Sequence, residues 1–182
     1  HDGKVVYQKN FGHLDYLKTS PVTSETIYDI ASISKIAAST ASLMNLQSTG
    51  KFSLESTLET LIPEVVGDNA MKNICLKDMM AHQAGLPAWL PFYLKTLDHG
   101  NLRPYLYSSN MTGDFDVPVA KDIWMNKAYK DTMYERILSC SLGSKSYKYS
   151  DLGYYFVKKI IEKQADLAME DFVEKNIYSK LG

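Results

Sequence analysis

The chain reads Tyr28-Asp29-Ile30-Ala31-Ser32-Ile33-Ser34-Lys35-Ile36-Ala37-Ala38 in the stretch that decides its fold. The hydroxyl of Ser32 and the amine of Lys35 stand three residues apart at a predicted helix start, so both side chains project from one helical face. A lysine amine that burial keeps neutral can take the proton from a serine hydroxyl. The pair is therefore the minimal equipment for acyl transfer through a covalent serine ester.

The spacing alone is weak evidence, because chance supplies such a pair easily. A second one, Ser48-Thr49-Gly50-Lys51, falls at a predicted helix end. The context of the first pair is more informative. Small and apolar residues surround most of the circumference of the segment from Ile36 to Leu46, which predicts a helix buried on several sides. We expect this helix to stop at Gly50.

Composition bounds the classes of protein. The chain has 182 residues, of which 45% are hydrophobic, and a net charge of −1. It can bury a core, and it shows no electrostatic reason to bind nucleic acid or an anionic membrane surface. No apolar run approaches the roughly 20 residues that span a bilayer. The start at His1 is not a signal peptide, and Cys75 and Cys140 have no metal-like spacing.

Periodicity predicts a hairpin over residues 4–16, with strands at 4–9 and 13–16, and a further strand at 26–30. Beyond residue 50, a loop or single turn is expected from 52 to 62, and 143–149 is expected to be a loop. Residues 88–121, punctuated by proline and glycine, predict long irregular structure with at most one short helix. Helices are predicted at 74–84, 122–140, 152–163 and 169–178.

Three segments resemble the serine β-lactamase and penicillin-binding-protein superfamily, and most closely its class C-type branch of β-lactamases, DD-peptidases, D-aminopeptidases and esterases. They are Asp29–Lys35 with the small-residue helix behind it, Leu76–Pro87 with its His-x-x-Gly-Leu-Pro turn, and Tyr147–Tyr154, which is similar to a Tyr-x-Asn element. Tyr178–Gly182 also resembles the segment that follows. The resemblance covers nearly the whole chain and is more specific than the serine–lysine pair.

The resemblance implies an α+β fold of the β-lactamase/transpeptidase type, with a helical region and the first strands of an antiparallel sheet. We expect a single partial domain over 1–182: N-terminal strands in 1–31, then a mostly helical region over 32–182 with the irregular segment 88–121. Such proteins carry a further Lys/His-Thr/Ser-Gly motif on a strand opposite the serine. No counterpart occurs here, so that motif, the C-terminal strands and an N-terminal helix are expected to lie outside this sequence.

The resemblance also implies the site. Ser32 would be the nucleophile, with its own N–H as half of an oxyanion hole. Lys35 would be a base whose pKa is lowered by desolvation. Tyr149 would relay protons, and Asp151 would reach Lys35 or the substrate. Asp151 departs from the commoner Asn, and its carboxylate would favour the ammonium form of Lys35. It could also cap the helix that begins at Leu152.

Other side chains leave two interpretations open. His82 lies in the turn that the resemblance places beneath the site, and a packed, hydrogen-bonded histidine is favoured over a member of a serine–histidine–aspartate triad. Trp89, Tyr93 and Tyr105 are candidate substrate-binding residues in an aromatic lid or wall. The alternative is that these aromatics pack the long connection onto the helices.

The predicted function is a serine hydrolase or acyltransferase that forms an acyl-enzyme on Ser32 with a D-amino-acid peptide, a β-lactam or a small ester. The alternative is a non-catalytic accessory module that binds peptidoglycan-like ligands or packs against an attached domain of a longer protein. No cofactor or metal is expected. The partner is a small-molecule or peptidoglycan-like substrate, with no nucleic acid and no membrane span. An extracytoplasmic location is implied by the resemblance alone.

Overall fold

A computed structural model describes residues 1–181 of the chain, which divide into two compact units. The first unit is His1–Ser34, and the second begins at Lys35. Each is described below by itself. The expectation of one partial domain over 1–182 stays a prediction.

The first unit forms turns and bends, and none of residues 1–34 lies in a β-strand. The predicted hairpin is therefore wrong, because Asp15 organises the chain differently. Its carboxylate accepts the backbone N–H groups of Thr19 (3.0 Å) and Ser20 (2.9 Å). This local bonding closes a compact turn with one isolated bridge, His13 to Pro21. Side-chain acceptors of this kind compete with strand pairing.

The predicted strands at 4–9 and 26–30 are also absent. Both runs have strand-forming side chains, and those of Val5, Tyr7 and Ile27 are largely exposed. A strand is stable only when a neighbour takes up its backbone hydrogen bonds. No segment among residues 1–34 pairs with either run, so the propensity is not expressed there.

The second unit opens with a π-helical segment, Lys35–Thr40, followed by helix α1, Ala41–Ser48. A π-helix has a wider turn than an α-helix and is usually short. The Thr40 hydroxyl donates to the carbonyl of Lys35 at 2.8 Å and so satisfies an acceptor in this widened turn. The predicted helix end at Gly50 is confirmed, because Gly50 has φ +73° and its N–H bonds to Gln47.

Helix α1 buries one face and not several, contrary to expectation. Ser42, Leu43 and Leu46 are buried, whereas Met44 of α1 and Ile36 of the preceding π-helical segment are exposed. The small residues allow close packing on that one side only, against the helices that follow later in the chain. The apolar residues of the other face remain in contact with solvent.

Short helices fill the next 30 residues. They are α2 Leu58–Leu61, α3 Pro63–Val66, a 3₁₀ turn at Ala70–Asn73, and α4 Leu76–Met80. The single turn expected within 52–62 is confirmed by α2, whose N-terminus is capped by the Thr57 side chain. Helix α4 is shorter than the prediction over 74–84. It ends because His82 takes a left-handed backbone conformation, φ +57°, which a helix cannot continue through.

The segment 88–126 contains two small antiparallel sheets and one 3₁₀ turn, Phe92–Lys95. Strands β1 and β2 form a pair, and three further strands stand in the order β3-β5-β4. Their bounds are β1 Leu97–Asp98, β2 Asn101–Leu102, β3 Tyr107–Ser108, β4 Phe115–Ala120 and β5 Ile123–Asn126. The prediction of irregular structure is therefore wrong for these residues, and so is that of helix over 123–126.

The physical reason is the position of Pro118. A proline cannot donate to a ladder, so its presence argues against a strand. Here β4 is an edge strand, where one side of the backbone needs no partner. The pairing with β5 is also interrupted by two register shifts, between Phe115 and Val117 and between Pro118 and Ala120.

Three further helices complete the core, to which α1–α4 also contribute buried residues. They are α5 Ala128–Leu138, α6 Leu152–Ala165 and α7 Met169–Asn176, with a final 3₁₀ turn at Tyr178–Lys180. Helix α6 matches its prediction: Phe156, Ile160 and Ile161 are completely buried. The predictions of the α7 helix and of the 143–149 loop are confirmed as well. The fold is α+β, as expected, but its strands come from 97–126 rather than from the N-terminus.

Replacing Ile160 with Ala should lower the free energy of unfolding by about 2–5 kcal/mol, because a completely buried side chain leaves a cavity in the core. Ile27→Ala removes the same atoms from a side chain that is 95% exposed, so it should change stability by less than about 0.5 kcal/mol. Urea unfolding followed by circular dichroism measures both. Equal losses in the two variants would contradict the assignment of α6 to the core.

Candidate active site

Lys35 and Asp151 form an ion pair that joins two segments 116 residues apart. The Lys35 Nζ donates to the Asp151 Oδ1 at 2.5 Å. The Lys35 side chain is 14% exposed, and that of Asp151 is 47% exposed. The ammonium is therefore largely withdrawn from water, whereas the carboxylate still reaches solvent.

Two aromatic rings lie beside the same ammonium. The Lys35 Nζ is 5.0 Å from the centre of the Tyr149 ring and 5.4 Å from that of Tyr154. Both distances suit cation–π attraction. The structure thus brings together three of the four predicted catalytic residues, Lys35, Tyr149 and Asp151. It adds Tyr154, which sequence reasoning did not single out although it lies three residues after Asp151 at the start of α6.

The pKa of Lys35 is raised above its ordinary value. Desolvation acts to lower this pKa, but the hydrogen bonds with Asp151 and Tyr149 outweigh it. The expectation of a lowered lysine pKa is therefore wrong for this structure. The effect of the Asp151 carboxylate was foreseen from the sequence, and the closeness of the contact explains why it prevails. Lys35 is an ammonium at neutral pH.

The loop that carries Tyr149 and Asp151 is held by the turn 82–88. The bonds are Lys148 N–H to His82 O (2.9 Å), Ser150 N–H to His82 Nδ1 (3.1 Å), Ser150 Oγ–H to Pro87 O (2.6 Å) and Asp151 N–H to Ala88 O (2.8 Å). Nearer the start of the loop, the Gly143 N–H bonds to the carbonyl of Gly85 at 2.8 Å. The hydrogen bonds to this turn therefore fix the backbone of residues 143–151.

Asp151 does not cap helix α6 with its side chain. The Ser150 hydroxyl accepts the N–H of Leu152 at 3.2 Å instead. This division leaves the Asp151 carboxylate available for Lys35. The two roles weighed for Asp151 are thus carried by neighbouring residues.

His82 is packed and hydrogen bonded, as expected. Its ring centre is 4.3 Å from that of Tyr149, with a tilt of 35°, and 5.7 Å from that of Tyr154. The pKa of His82 is lowered, first by desolvation and then by the positive charge of Lys35. The ring is therefore neutral at pH 7, in agreement with an Nδ1 that accepts a hydrogen bond from Ser150.

The predicted substrate-binding aromatics are Trp89, Tyr93 and Tyr105. Each is more than half exposed. Trp89 follows Ala88, whose carbonyl accepts the Asp151 N–H, so its backbone lies beside the candidate site. The Tyr105 ring lies 5.9 Å from the guanidinium of Arg103. A lid formed by these residues stays a prediction.

Phe92 shows the other use of aromatic residues in this segment. It is buried, contacts the Tyr155 ring at 5.5 Å, and lies under the guanidinium of Arg136 at 4.9 Å. Its carbonyl accepts the Tyr129 hydroxyl at 2.8 Å. For Phe92, packing onto the helices is the role that the contacts support.

Ser32 lies in the first unit, His1–Ser34. Helical backbone begins at Ile33, directly after Ser32, as expected. The turn is closed by bonds from Ile33 N–H to Ile30 O (3.0 Å) and from Ser34 N–H to Ala31 O (3.1 Å). Ala31 has φ +43°, an uncommon conformation for a residue with a side chain, and its N–H bonds to the Asp29 carboxylate at 2.7 Å.

Residues 1–181 also bear on other kinds of site. No three His, Cys, Asp or Glu side chains in this part of the chain lie close enough together to hold a metal ion. None of its helices combines the length and the apolar character needed to cross a bilayer. Cys75 and Cys140 are partly buried free thiols.

The model of the beta-lactamase family matches residues 1–182. The chain belongs to the beta-lactamase family. It is 19% identical to penicillin-binding protein 4* of Bacillus subtilis over 99% of this chain and 34% of the relative. It is 27% identical to an Escherichia coli protein named "Putative D-alanyl-D-alanine carboxypeptidase", over 100% of this chain and 40% of the relative.

Solved structures of the family share the fold. An octameric penicillin-binding protein homologue from Pyrococcus abyssi matches with a TM-score of 0.67 and 24% identity, over 100% of this chain and 37% of that one. A beta-lactamase/D-alanine carboxypeptidase from Pseudomonas syringae matches with a TM-score of 0.60 and 17% identity, over 96% and 40%. This chain therefore spans 34–40% of the length of these relatives.

Gly85→Ala should weaken the contact between the turn 82–88 and the loop 143–151 and lower the free energy of unfolding. A Cβ at this position would lie 2.5 Å from the carbonyl oxygen of Gly143. Gly50→Ala is the matched control: its φ of +73° is close to the +75° of Gly85, but nothing lies within 4 Å of the added atom. Both variants bear the strain of a left-handed alanine, so the extra loss in Gly85→Ala, about 1–3 kcal/mol, reports the clash. Urea unfolding of both variants measures it, and equal losses would contradict the close approach.

Asp151→Asn should lower the pKa of Lys35, because desolvation remains while the carboxylate is removed. NMR titration of ¹³C-labelled lysine measures this, with Asp68→Asn, at an exposed pair with Lys72, as the control. An unchanged Lys35 pKa would contradict the assigned cause.

Since the folded-state pKa of Lys35 is raised, the stabilisation that the ion pair gives is full below pH 10.5 and is lost as pH rises through the folded value. The free energy of unfolding of Asp151→Asn should therefore fall less with rising pH in the alkaline range than that of the parent.

Proposed function

We propose that this chain carries the nucleophile of a serine hydrolase or acyltransferase, which forms an acyl-enzyme on Ser32 with an amide or ester substrate. The observation that carries the proposal is the Lys35 ammonium bound to Asp151 and lying over Tyr149. Lys35 follows Ser32 by three residues in the sequence. A charged lysine withdrawn from water beside a tyrosine is typical of a site built for proton transfer.

The protonation state of Lys35 assigns the roles. An ammonium cannot accept the serine proton, so in this proposal the phenolate form of Tyr149 is the general base, and it takes the proton when the Ser32 hydroxyl attacks the substrate carbonyl. The positive charge of Lys35 stabilises this phenolate before it accepts the proton. The backbone N–H of Ser32 donates to the carbonyl oxygen under attack. Tyr149 then returns the proton to the leaving group, and a water molecule hydrolyses the ester by the reverse path.

Asp151 keeps Lys35 charged and fixes the position of its ammonium. With the commoner Asn at this position, the lysine would lack its anionic partner and could serve as a base itself. The carboxylate in this chain therefore shifts base catalysis from the lysine to the tyrosine. Because Asp151 departs from the commoner Asn, we favour a peptidase- or esterase-like enzyme over a dedicated penicillin-destroying one.

The proposed substrates follow from the relatives. The name of the Escherichia coli protein refers to D-alanyl-D-alanine peptides, and that of the Pseudomonas syringae structure to β-lactams and D-alanine. We extend these classes to this chain as a D-amino-acid peptide, a β-lactam or a small ester, in an extracytoplasmic compartment.

A covalent probe tests the proposal on the protein expressed from its complete gene. A fluorophosphonate and a labelled penicillin should each add their mass to the peptide that contains Ser32. Ser32→Ala should lower the labelling rate about a thousandfold or more, because no other hydroxyl can replace the nucleophile. Mass spectrometry of the digested protein measures the adduct.

Ser48→Ala is the matched control, since Ser48 belongs to the other Ser-x-x-Lys pair and its hydroxyl bonds to the carbonyl of Asn45. Labelling of this variant should equal that of the parent. Absence of an adduct with both probes on the parent protein would overturn the proposal and favour a non-catalytic binding module.

A further inference from the structure

Tyr149 has no helix or strand to fix it, because it stands in the loop 143–149 just before α6. It is also 43% exposed, so burial does not immobilise its ring. A base in an acyl-transfer site must nevertheless be held close to its working position, since a small displacement costs much of the rate. The contacts around Tyr149 show which residue could supply that constraint.

His82 contacts this loop in three ways. Its carbonyl accepts the N–H of Lys148 at 2.9 Å, which fixes the residue before Tyr149. Its Nδ1 accepts the N–H of Ser150 at 3.1 Å, which fixes the residue after it. Its ring lies 4.3 Å from the Tyr149 ring, centre to centre, at a tilt of 35°. His82 thus holds Tyr149 in place through hydrogen bonds to the residues on either side of it and through contact between the two rings.

The backbone conformation of His82 makes these three contacts possible. Its φ of +57° is in the left-handed region, which a residue other than glycine rarely adopts. The conformation ends α4 and turns both the carbonyl and the ring of His82 toward the loop. Glycine or asparagine would meet the backbone requirement more easily, but neither has a ring to place beside Tyr149. A histidine alone offers the conformation with a ring and a neutral acceptor at Nδ1.

We propose that His82 is the positioning residue for Tyr149, acting through its ring and its Nδ1 acceptor and not through contact with substrate. The inference rests on the proposed function, in which Tyr149 is the base. It makes the His82–Pro87 turn part of the catalytic apparatus, although no side chain of that turn takes part in the chemistry. The groups that face the His82 ring are Lys35, Tyr147, Tyr149, Asp151 and Tyr154.

Two substitutions separate the two contacts. His82→Asn tolerates the left-handed backbone and places an amide oxygen where it can accept the Ser150 N–H, but it removes the ring. His82→Phe keeps a ring and removes the acceptor. His99→Asn and His99→Phe are the matched controls, because His99 has φ +48° and its side chain is almost fully exposed.

The first measurement is the saturation kinetics of Ser32 labelling by the fluorophosphonate in the protein from the complete gene. Both His82 variants should lower the maximal labelling rate about ten- to a hundredfold and leave the half-saturating probe concentration unchanged. Both His99 variants should match the parent. The same substitution in a Tyr149→Phe background should cause no further loss, because His82 then has no hydroxyl to position.

The second measurement does not depend on activity. With 3-fluorotyrosine at position 149, the ¹⁹F resonance should broaden in His82→Asn, because the ring is no longer held in one position, and keep its width in His99→Asn. An unchanged line width together with an unchanged labelling rate would overturn the proposal. So would a loss of rate that is equally large in the Tyr149→Phe background, because that result indicates general damage to the fold. If the parent protein takes up neither probe, the function proposed above fails, and the ¹⁹F resonance still decides whether His82 holds Tyr149.

Discussion

The close approach of two backbone segments, the turn 82–88 and the loop 143–151, is the constraint on which the candidate site depends. Gly85 and Gly143 approach so closely that a single methyl group at Gly85 would meet a carbonyl oxygen. The hydrogen bonds that follow continue as far as Asp151, which directly precedes α6. Because main-chain atoms make most of these contacts, the loop is fixed to the scaffold before any functional side chain is considered. Lys35 then meets a carboxylate and two rings whose positions are already set.

The charged pair is the second element of the design. Burying an ammonium is unfavourable unless an anion and hydrogen bonds compensate. Asp151 and Tyr149 supply both for Lys35, and the rings of Tyr149 and Tyr154 lie beside the same charge. The half-exposed carboxylate costs less to desolvate than the lysine, so the pair is asymmetric. This asymmetry leaves the Asp151 carboxylate accessible from the solvent side while the Lys35 ammonium stays within the protein.

Local sequence patterns were sufficient for the elements whose own residues determine them. The spacing of Phe156, Ile160 and Ile161 predicts α6, and Gly50 predicts the end of α1. Local patterns failed where the structure of a segment depends on a partner that is distant in the sequence. Pro118 conceals a strand because its edge position is a property of the whole sheet, and Val5 to Tyr7 have strand propensity without a partner in residues 1–34. The site residues came from a resemblance of motifs, but the raised pKa of Lys35 depends on a contact across 116 residues that no local pattern contains.

The widened turn at Lys35–Thr40 also sets the direction in which the lysine points. A π-helical turn accommodates one residue more than an α-helical turn, and each residue of an α-helix advances the chain by about 100° around the axis. Helix α1 must keep Ser42, Leu43 and Leu46 against the core, so its rotation is fixed. The wider turn takes up its extra residue within one revolution, so Lys35 keeps its orientation relative to the buried face of α1. In a regular α-helix one extra residue would rotate the ammonium by about 100° away from Asp151, whereas in this wider turn it does not.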